Sequence, residues 1–323
     1  MDRRTFLGTL AGAFAAPLTA EGQPARGHRI GVILQGGPYS AAIDGLRDGL
    51  RELGLEEGKQ FVLDVRDTKG DLKSVAAAAR SLEEQKVDLI YTLGTSVTLA
   101  AKRATKNVPI VFYAGTDPVA VGLVESLRKP GERFTGVHGQ FTNLTAKRLE
   151  LLKQMIPRLR RVVTFYSPDN PAAQRSMTIA RDAARQLKVE LIERPVASVE
   201  ELRAGLRALQ PGEADAFFFV SDAMLNSQEE LIIDTARAKR LPTMFAYQGS
   251  VAKGALASYR ESYYALGRLS AKHVQRVLLG ADPGDLPVEQ LDRLHFVINL
   301  KTAKALGLTI PESLLQRADQ VID

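Results

Sequence analysis

The turns of this chain that carry hydroxyl and carboxylate groups stand where they can hold a small charged molecule. Thr95 and Ser96 follow the apolar run Leu89–Leu93, and Thr116 and Asp117 follow a second run at 110–113. Each run is short, continuous and bounded by turn residues, which marks a strand covered on both faces. Residues 98–104 between them read as a helix, with Thr95 or Ser96 as its candidate cap. Strand, polar turn, helix and strand make a βαβ crossover, and ligands of such units sit outside the carboxyl ends of the strands. There Gly94-Thr95-Ser96 and Gly115-Thr116-Asp117 offer N–H and hydroxyl donors beside a helix N-terminus carrying roughly half a positive charge. The chemistry this favours is capture of a carboxylate or a similar anion. The same residues also suit plain structural work, Thr95 and Ser96 as caps and Asp117 before Pro118 as a turn starter.

The pattern returns at 214–249. An Asp opens each copy (Asp88, Asp215), and a polar pair ends the first strand (Thr95-Ser96, Ser221-Asp222). A basic helix end then precedes a strand that begins at Pro (Pro109, Pro242), and each second strand breaks at Gly (Gly115, Gly249). Two α/β lobes presenting equivalent turns to each other would enclose a cleft.

The elements needed to position those turns are present. Strands are expected at 28–34, 61–65, 134–138, 161–166, 189–194, 216–220 and 243–247. Helices are expected at 41–53, 71–85 (capped by Asp71), 119–127, 143–156, 172–187, 199–209, 223–239 and 263–279. Extended runs at 134–138, 254–259 and 294–298 would carry the chain between lobes three times, with helix 263–279 returned to the first. The expectation is an α/β fold of two doubly wound parallel-sheet lobes joined by a multi-stranded hinge. Lobe 1 takes 27–138 plus 260–290, and lobe 2 takes 139–259 plus 291–323.

The 323 residues suit two lobes better than one core. The net charge of +6 is spread among acidic neighbours along helices, which describes a solvated surface and not a nucleic-acid footprint. There is no Cys, so disulfides, thiolate metal sites, a catalytic thiol and a lipid-bearing cysteine are excluded. His28, His138, His273 and His295 never pair at helical spacing, so no metal site is expected. The Gly36-Gly37 loop lacks a GxGxxG pattern, and nucleophile-elbow, Walker and HExxH motifs are missing. No catalysis and no cofactor are expected. Paired Arg3-Arg4, then Phe6-Leu7 and a small-residue apolar run from Gly8 to Ala16, look like a twin-arginine export signal cleaved after Ala20 or Ala25. That run falls short of the roughly 20 apolar residues of a transmembrane anchor. A periplasmic, unanchored, monomeric protein is the expectation.

Blocks spread along the whole mature chain resemble the substrate-binding proteins of ABC importers, the amino-acid-receptor-like group with a type I periplasmic-binding fold. They are GLRDGLRELG (45–54), VDLI (87–90), AAKRAT (100–105), PIVF (109–112), DPV (117–119), KRLELLK (147–153), PDNP (168–171), DLPVEQ (285–290) and NLKTAKALGLTIP (299–311). The loop GGPY (36–39) and the paired arginines depart from the usual pattern. The resemblance implies a small solute, an amino acid or related carboxylate, delivered to an ABC permease in the inner membrane. A ligand-sensing module for a membrane receptor is the alternative, and a periplasmic α/β enzyme a weaker one. The ligand-holding turns map onto Thr95, Ser96, Thr116, Asp117, Asn170, Ser221 and Asp222. Thr95, Ser96 and Thr116 would serve the carboxylate, and Asp222, then Asp117, the ammonium. Tyr39, Tyr247 and Tyr259 would stack on the solute or pack in the core and hinge. On this reading Asp222→Ala abolishes binding and leaves the fold intact.

Overall fold

The computed structural model describes residues 27–323; the expected export segment lies outside the described residues. The first sheet is built from β1 (His28–Leu34), β2 (Phe61–Asp67), β3 (Leu89–Leu93), β4 (Ile110–Ala114) and β5 (Phe134–His138). Helices α1 (Ser40–Glu52), α2 (Leu72–Glu84) and α3 (Thr95–Ala104) link the first four strands. The chain then leaves through α4 (Thr145–Met155) into β6 (Arg161–Tyr166), α5 (Pro171–Leu187), β7 (Glu190–Pro195), α6 (Val199–Ala208) and β8 (Ala216–Phe218). Next come α7 (Ala223–Ser227), α8 (Glu229–Ala238), β9 (Thr243–Phe245), α9 (Gln248–Ala252) and β10 (Ala257–Glu261). Helix α10 (Tyr263–Leu278) and β11 (Glu289–Gln290) return to the first sheet, and β12 (Leu294–Asn299), α11 (Leu300–Ala305), α12 (Glu312–Leu315) and β13 (Gln320–Ile322) finish the second.

The first sheet has the order β11-β5-β4-β3-β1-β2 and is parallel throughout. The second runs β13-β12-β10-β9-β8-β6-β7 and is parallel except where β10 meets β12. Each sheet with its helices forms a lobe. Successive side chains of the central strands are buried against opposite faces of the sheet, as the pleat requires. Tyr91, Leu93, Val111 and Tyr113 pack towards α1 and α10, whereas Ile90, Ile110 and Phe112 pack towards α2 and α3. In the second lobe α4 and α5 cover one face, and α6, α7 and α8 the other. Continuous apolar runs therefore mean strands covered on both sides, as the sequence suggests.

Helix α10 lies directly on α1, because a Cβ on Gly45 would run into the Tyr264 carbonyl and one on Gly267 into the Ala42 carbonyl. That backbone contact fixes the returning helix in the first lobe. The chain passes between sheets three times, after β5, β10 and β11. Arg260 and Glu261 belong to β10 in the second sheet, two residues beyond the boundary read from sequence.

Four local expectations are corrected. No helix forms at 119–127: Asp117 Oδ1 takes the N–H groups of Val119 and Ala120, the Pro118 carbonyl takes those of Leu123 and Val124, and Gly122 turns left-handed at φ 68°. Those turns consume the groups a helix would need. The single helix expected at 223–239 breaks at Gln228, whose φ of −110° lies outside the helical range. Strand β9 stops at Phe245, and α9 occupies the segment that follows. Finally, α3 begins at Thr95, with Gly94 at φ 112° in the capping position and no side-chain cap. Thr95 and Ser96 thus lie within the first turn and do not cap it. Among the described residues, no helix is long and apolar enough to cross a membrane.

Candidate ligand-binding site

The carboxyl ends of both sheets face one another, and their turns converge. A small enclosed cavity of about 10 Å³ is walled by Tyr39, Thr95, Ser96, Tyr113 and Gly115 from the first lobe and by Asn170, Ala172, Ser221 and Ala223 from the second. Phe141, on the segment joining β5 to α4, closes it. A wider cavity of about 870 Å³ continues outward, sharing Ser96 and Asn170 and adding Asp222. Its rim carries exposed charged side chains such as Lys69, Lys73, Arg80, Arg103 and Arg203. The wider space is a solvated mouth. The smaller one, walled by buried polar and aromatic side chains, holds little more than a water molecule as it stands, so a solute would fill the junction of the two, where Ser96 and Asn170 line both.

The lobes touch around this cavity. A Cβ on Gly37 (φ 64°) would strike the Asn226 carbonyl of α7, and one on Gly70 would strike the Ser227 hydroxyl. Asn226 Nδ2 donates to Tyr263 Oη at 3.1 Å, and Arg260 Nη2 donates to Tyr113 Oη at 2.7 Å. Both bonds run from the second lobe to the first.

The residues anticipated from sequence separate into two groups. Thr95, Ser96, Asn170, Ser221 and Tyr39 come together in the enclosed cavity, and Asp222 stands at its outer edge. Thr95 Oγ1 accepts from the Gly115 N–H at 3.2 Å, which ties the turns after β3 and β4 together and leaves its own hydrogen free to donate. Asn170 caps α5 through the Ala172 N–H. Asp222 is buried and caps α7: Oδ1 accepts from Met224 and Leu225, and Oδ2 from Ser167 at 2.7 Å. Burial pushes its pKa up to about 6, with those N–H groups and Asn170 working the other way. A carboxylate has about four lone-pair sites, and the three N–H groups and the Asn170 side chain occupy them, so an ammonium at Asp222 would have to share a site with one of these donors.

Thr116, Asp117, Tyr247 and Tyr259 line neither cavity. Thr116 is buried in its turn, and Asp117 is an exposed turn former. Tyr247 packs against Tyr263 with ring centroids 5.5 Å apart, and Tyr259 meets Phe296 edge-on in the core of the second lobe. Both tyrosines are thus in packing contact with other rings in this structure.

Sequence reading passed over Tyr113, Phe141, Arg260 and Tyr263. Tyr39, Tyr113 and Tyr263 form a cluster with centroids 4.9 to 6.4 Å apart. Burial raises the Tyr39 and Tyr113 phenols well above their usual pKa, so both stay protonated donors. The Arg260 guanidinium lies 3.8 Å over the Tyr263 ring and 4.8 Å over Phe141. The available signal was Arg260 itself, a charged residue inside a strand-like run. Among the described residues, no group of three or more His, Cys, Asp or Glu is placed to hold a metal ion.

Residues 29–322 match the family described as ABC transporter substrate binding protein. The chain is 30% identical to a tyrosine-binding protein of Clostridioides difficile strain R20291, over 82% of this chain and 76% of that one. Among solved structures it is similar to an ABC domain from Streptococcus pneumoniae in complex with L-Trp, at TM-score 0.83 and 28% identity, covering 92% of this chain and all of the other. It is also similar to the ligand-free, open structure of a substrate-binding protein with adhesive properties from Clostridium difficile, at TM-score 0.61 and 26% identity, covering 91% of this chain and 99% of that one. Sequence identity barely separates the last two, whereas the TM-score does.

Proposed function

The chain belongs to the ABC transporter substrate-binding protein family, and from that premise we propose that it is the periplasmic receptor of an importer, closing on an amino acid and handing it to the inner-membrane permease. It is a binding protein and not an enzyme. The observation that carries the ligand class is the enclosed cavity. Hydroxyl donors of Thr95, Ser96 and Ser221 and the rings of Tyr39, Tyr113 and Phe141 line it from both lobes, and the buried carboxylate of Asp222 stands in the adjoining wider cavity. Donors suit a carboxylate, the acid suits an ammonium, and the rings suit an aromatic or large apolar side chain. The lobe contacts at Gly37 and Asn226, with the stronger likeness to a ligand-bound structure, support a closed arrangement of a hinged receptor.

Thermal unfolding with each of the twenty amino acids tests this reading. A ligand at 100 times its Kd should add roughly 2.7 kcal/mol of stability. We expect the largest shift from L-tyrosine, L-tryptophan or L-phenylalanine; no shift with any amino acid rejects the assignment.

A further inference from the structure

Beneath the enclosed cavity the hinge holds more positive charge than it neutralises. Arg148 and Arg260 are both fully buried beside Phe141, with guanidinium carbons 3.9 and 4.8 Å from its ring centroid. Arg148 donates through Nη2 to the Phe141 carbonyl at 3.0 Å and to Thr145 at 3.1 Å; its Nε and Nη1 have no partner among the described residues. Arg260 spends Nη2 on Tyr113, and its Nε and Nη1 are likewise without partners. The acid bearing on both is Glu261. Its Oε2 stands 3.7 Å from Arg260 Nε, outside hydrogen-bond range, and its Oε1 is committed to the Gln140 N–H. Two guanidinium groups facing one carboxylate leave a net charge of +1 in a buried place, which is costly unless something cancels it.

The charge is delivered to the cavity through one atom. Tyr113 Oη accepts from Arg260, so its own hydrogen is free, and a phenol that accepts from a guanidinium is a better donor. Tyr113 Oη and Ser221 Oγ both stand against Gly115: a Cβ there would lie 3.3 Å from the first and 3.5 Å from the second. We propose that this spot, where the Tyr113 and Ser221 hydroxyls meet over Gly115, is the subsite for the ligand's carboxylate, with Arg260 as the residue that positions and polarises Tyr113. The proposal rests on the amino-acid reading above and adds to it the groups that select a negatively charged end. A monoanion here brings the hinge to neutrality. An amide or an amine in the same position does not.

The experiment is calorimetric titration of the full chain with L-tyrosine and L-tyrosinamide at pH 7, for wild type, Tyr113→Phe and Arg260→Gln, each first shown to unfold cooperatively. Loss of a charge-assisted hydrogen bond corresponds to roughly a 10- to 100-fold change in affinity. The wild type is expected to prefer L-tyrosine over its amide by at least that factor. Tyr113→Phe and Arg260→Gln should each collapse the preference by weakening L-tyrosine and sparing the amide. A merely structural role would weaken both ligands alike. Equal binding of acid and amide by the wild type, or a preference that survives Tyr113→Phe, overturns the proposal. If no amino acid binds the wild type, the amino-acid reading falls. The carboxylate subsite then stands only if 3-phenylpropionate stabilises the wild type and not Tyr113→Phe; absence of that difference rejects it as well.

Discussion

The turns after β3 and after β8 occupy equivalent places in the two lobes, yet they end their strands with opposite chemistry. In the first lobe Gly94 holds the capping position without a side chain, and Thr95 and Ser96 bring hydroxyls into the opening turn of α3. Among the described residues, no carboxylate side chain caps the N-terminal N–H groups there. In the second lobe Asp222 takes the N–H groups of Met224 and Leu225 and reaches across to Ser167. One sequence pattern has thus produced a donor-rich end in one lobe and a buried acid in the other, with Ser96 and Asp222 lining the same wider cavity. On the proposed reading a zwitterion fits that polarity with its ammonium at Asp222 and its carboxylate at the hydroxyls around Gly115, where the two lobes meet. The repeat supplies the geometry, and the departures within it supply direction.

The largest effect should come from removing the acid. Asp222→Ala strips three N–H groups of their acceptor in two separate segments. A lost cap costs about 1–2 kcal/mol, and a buried unpaired donor adds about 1–3 kcal/mol. We expect about 3 kcal/mol of destabilisation in denaturant unfolding without ligand, so the variant does not spare the fold as sequence alone suggested. A loss under about 1 kcal/mol would show that the second turn is organised without its carboxylate. Asp222→Asn, which keeps shape and one acceptor, is the variant for reading ligand affinity.

Next is the contact between lobes. Gly37 at φ 64° meets the Asn226 carbonyl so closely that Gly37→Ala obstructs closure while leaving each lobe's core untouched. Affinity should fall more than tenfold, whereas ligand-free stability should change by about 1 kcal/mol, the cost of a left-handed alanine. Undiminished affinity would mean that the two turns need not come this close to share a ligand.

Much of this was legible because parallel strands advertise themselves as unbroken apolar runs bounded by polar turns. Leu89–Leu93 and its neighbours fell where expected, and Asp71 caps α2 through the Lys73 N–H. What escaped was non-local. Nothing in the run 110–113 says that the Tyr113 phenol will meet Arg260, 147 residues later, because the hinge that joins them is a product of three chain crossings. Thr116 and Asp117 carry the right chemistry and fall outside the cavities because local turns claim their surroundings first. Arg148 lies in the helix expected at 143–156, and nothing in its local sequence says that its guanidinium will be fully buried against Phe141.

A smaller effect follows from pH. Burial lifts Asp222 to about 6 from an ordinary 3.8, so the folded state holds this proton more tightly than the unfolded chain does. Its contribution to stability is therefore full below about pH 4 and is lost as pH rises through 6. Ligand binding runs the other way, since an ammonium needs the ionised acid. Affinity for L-tyrosine should drop about tenfold between pH 7 and pH 5, and Asp222→Asn should flatten the profile. A pH-independent affinity in the wild type would take the ammonium away from Asp222.

The smallest effect tests the donor end. Thr95 Oγ1 accepts the buried Gly115 N–H at 3.2 Å and so joins the two turns of the first lobe. Thr95→Val keeps the volume and removes the acceptor, which should cost about 1 kcal/mol, while Thr95→Ser should cost a few tenths. Both numbers are smaller than for Asp222→Ala because one neutral hydrogen bond is lost and not three bonds to a charged group. The ratio is what matters: if Thr95→Val destabilises as much as Asp222→Ala, the lobes are organised alike after all. The proposed polarity would then have to come from Tyr113 and Arg260 alone.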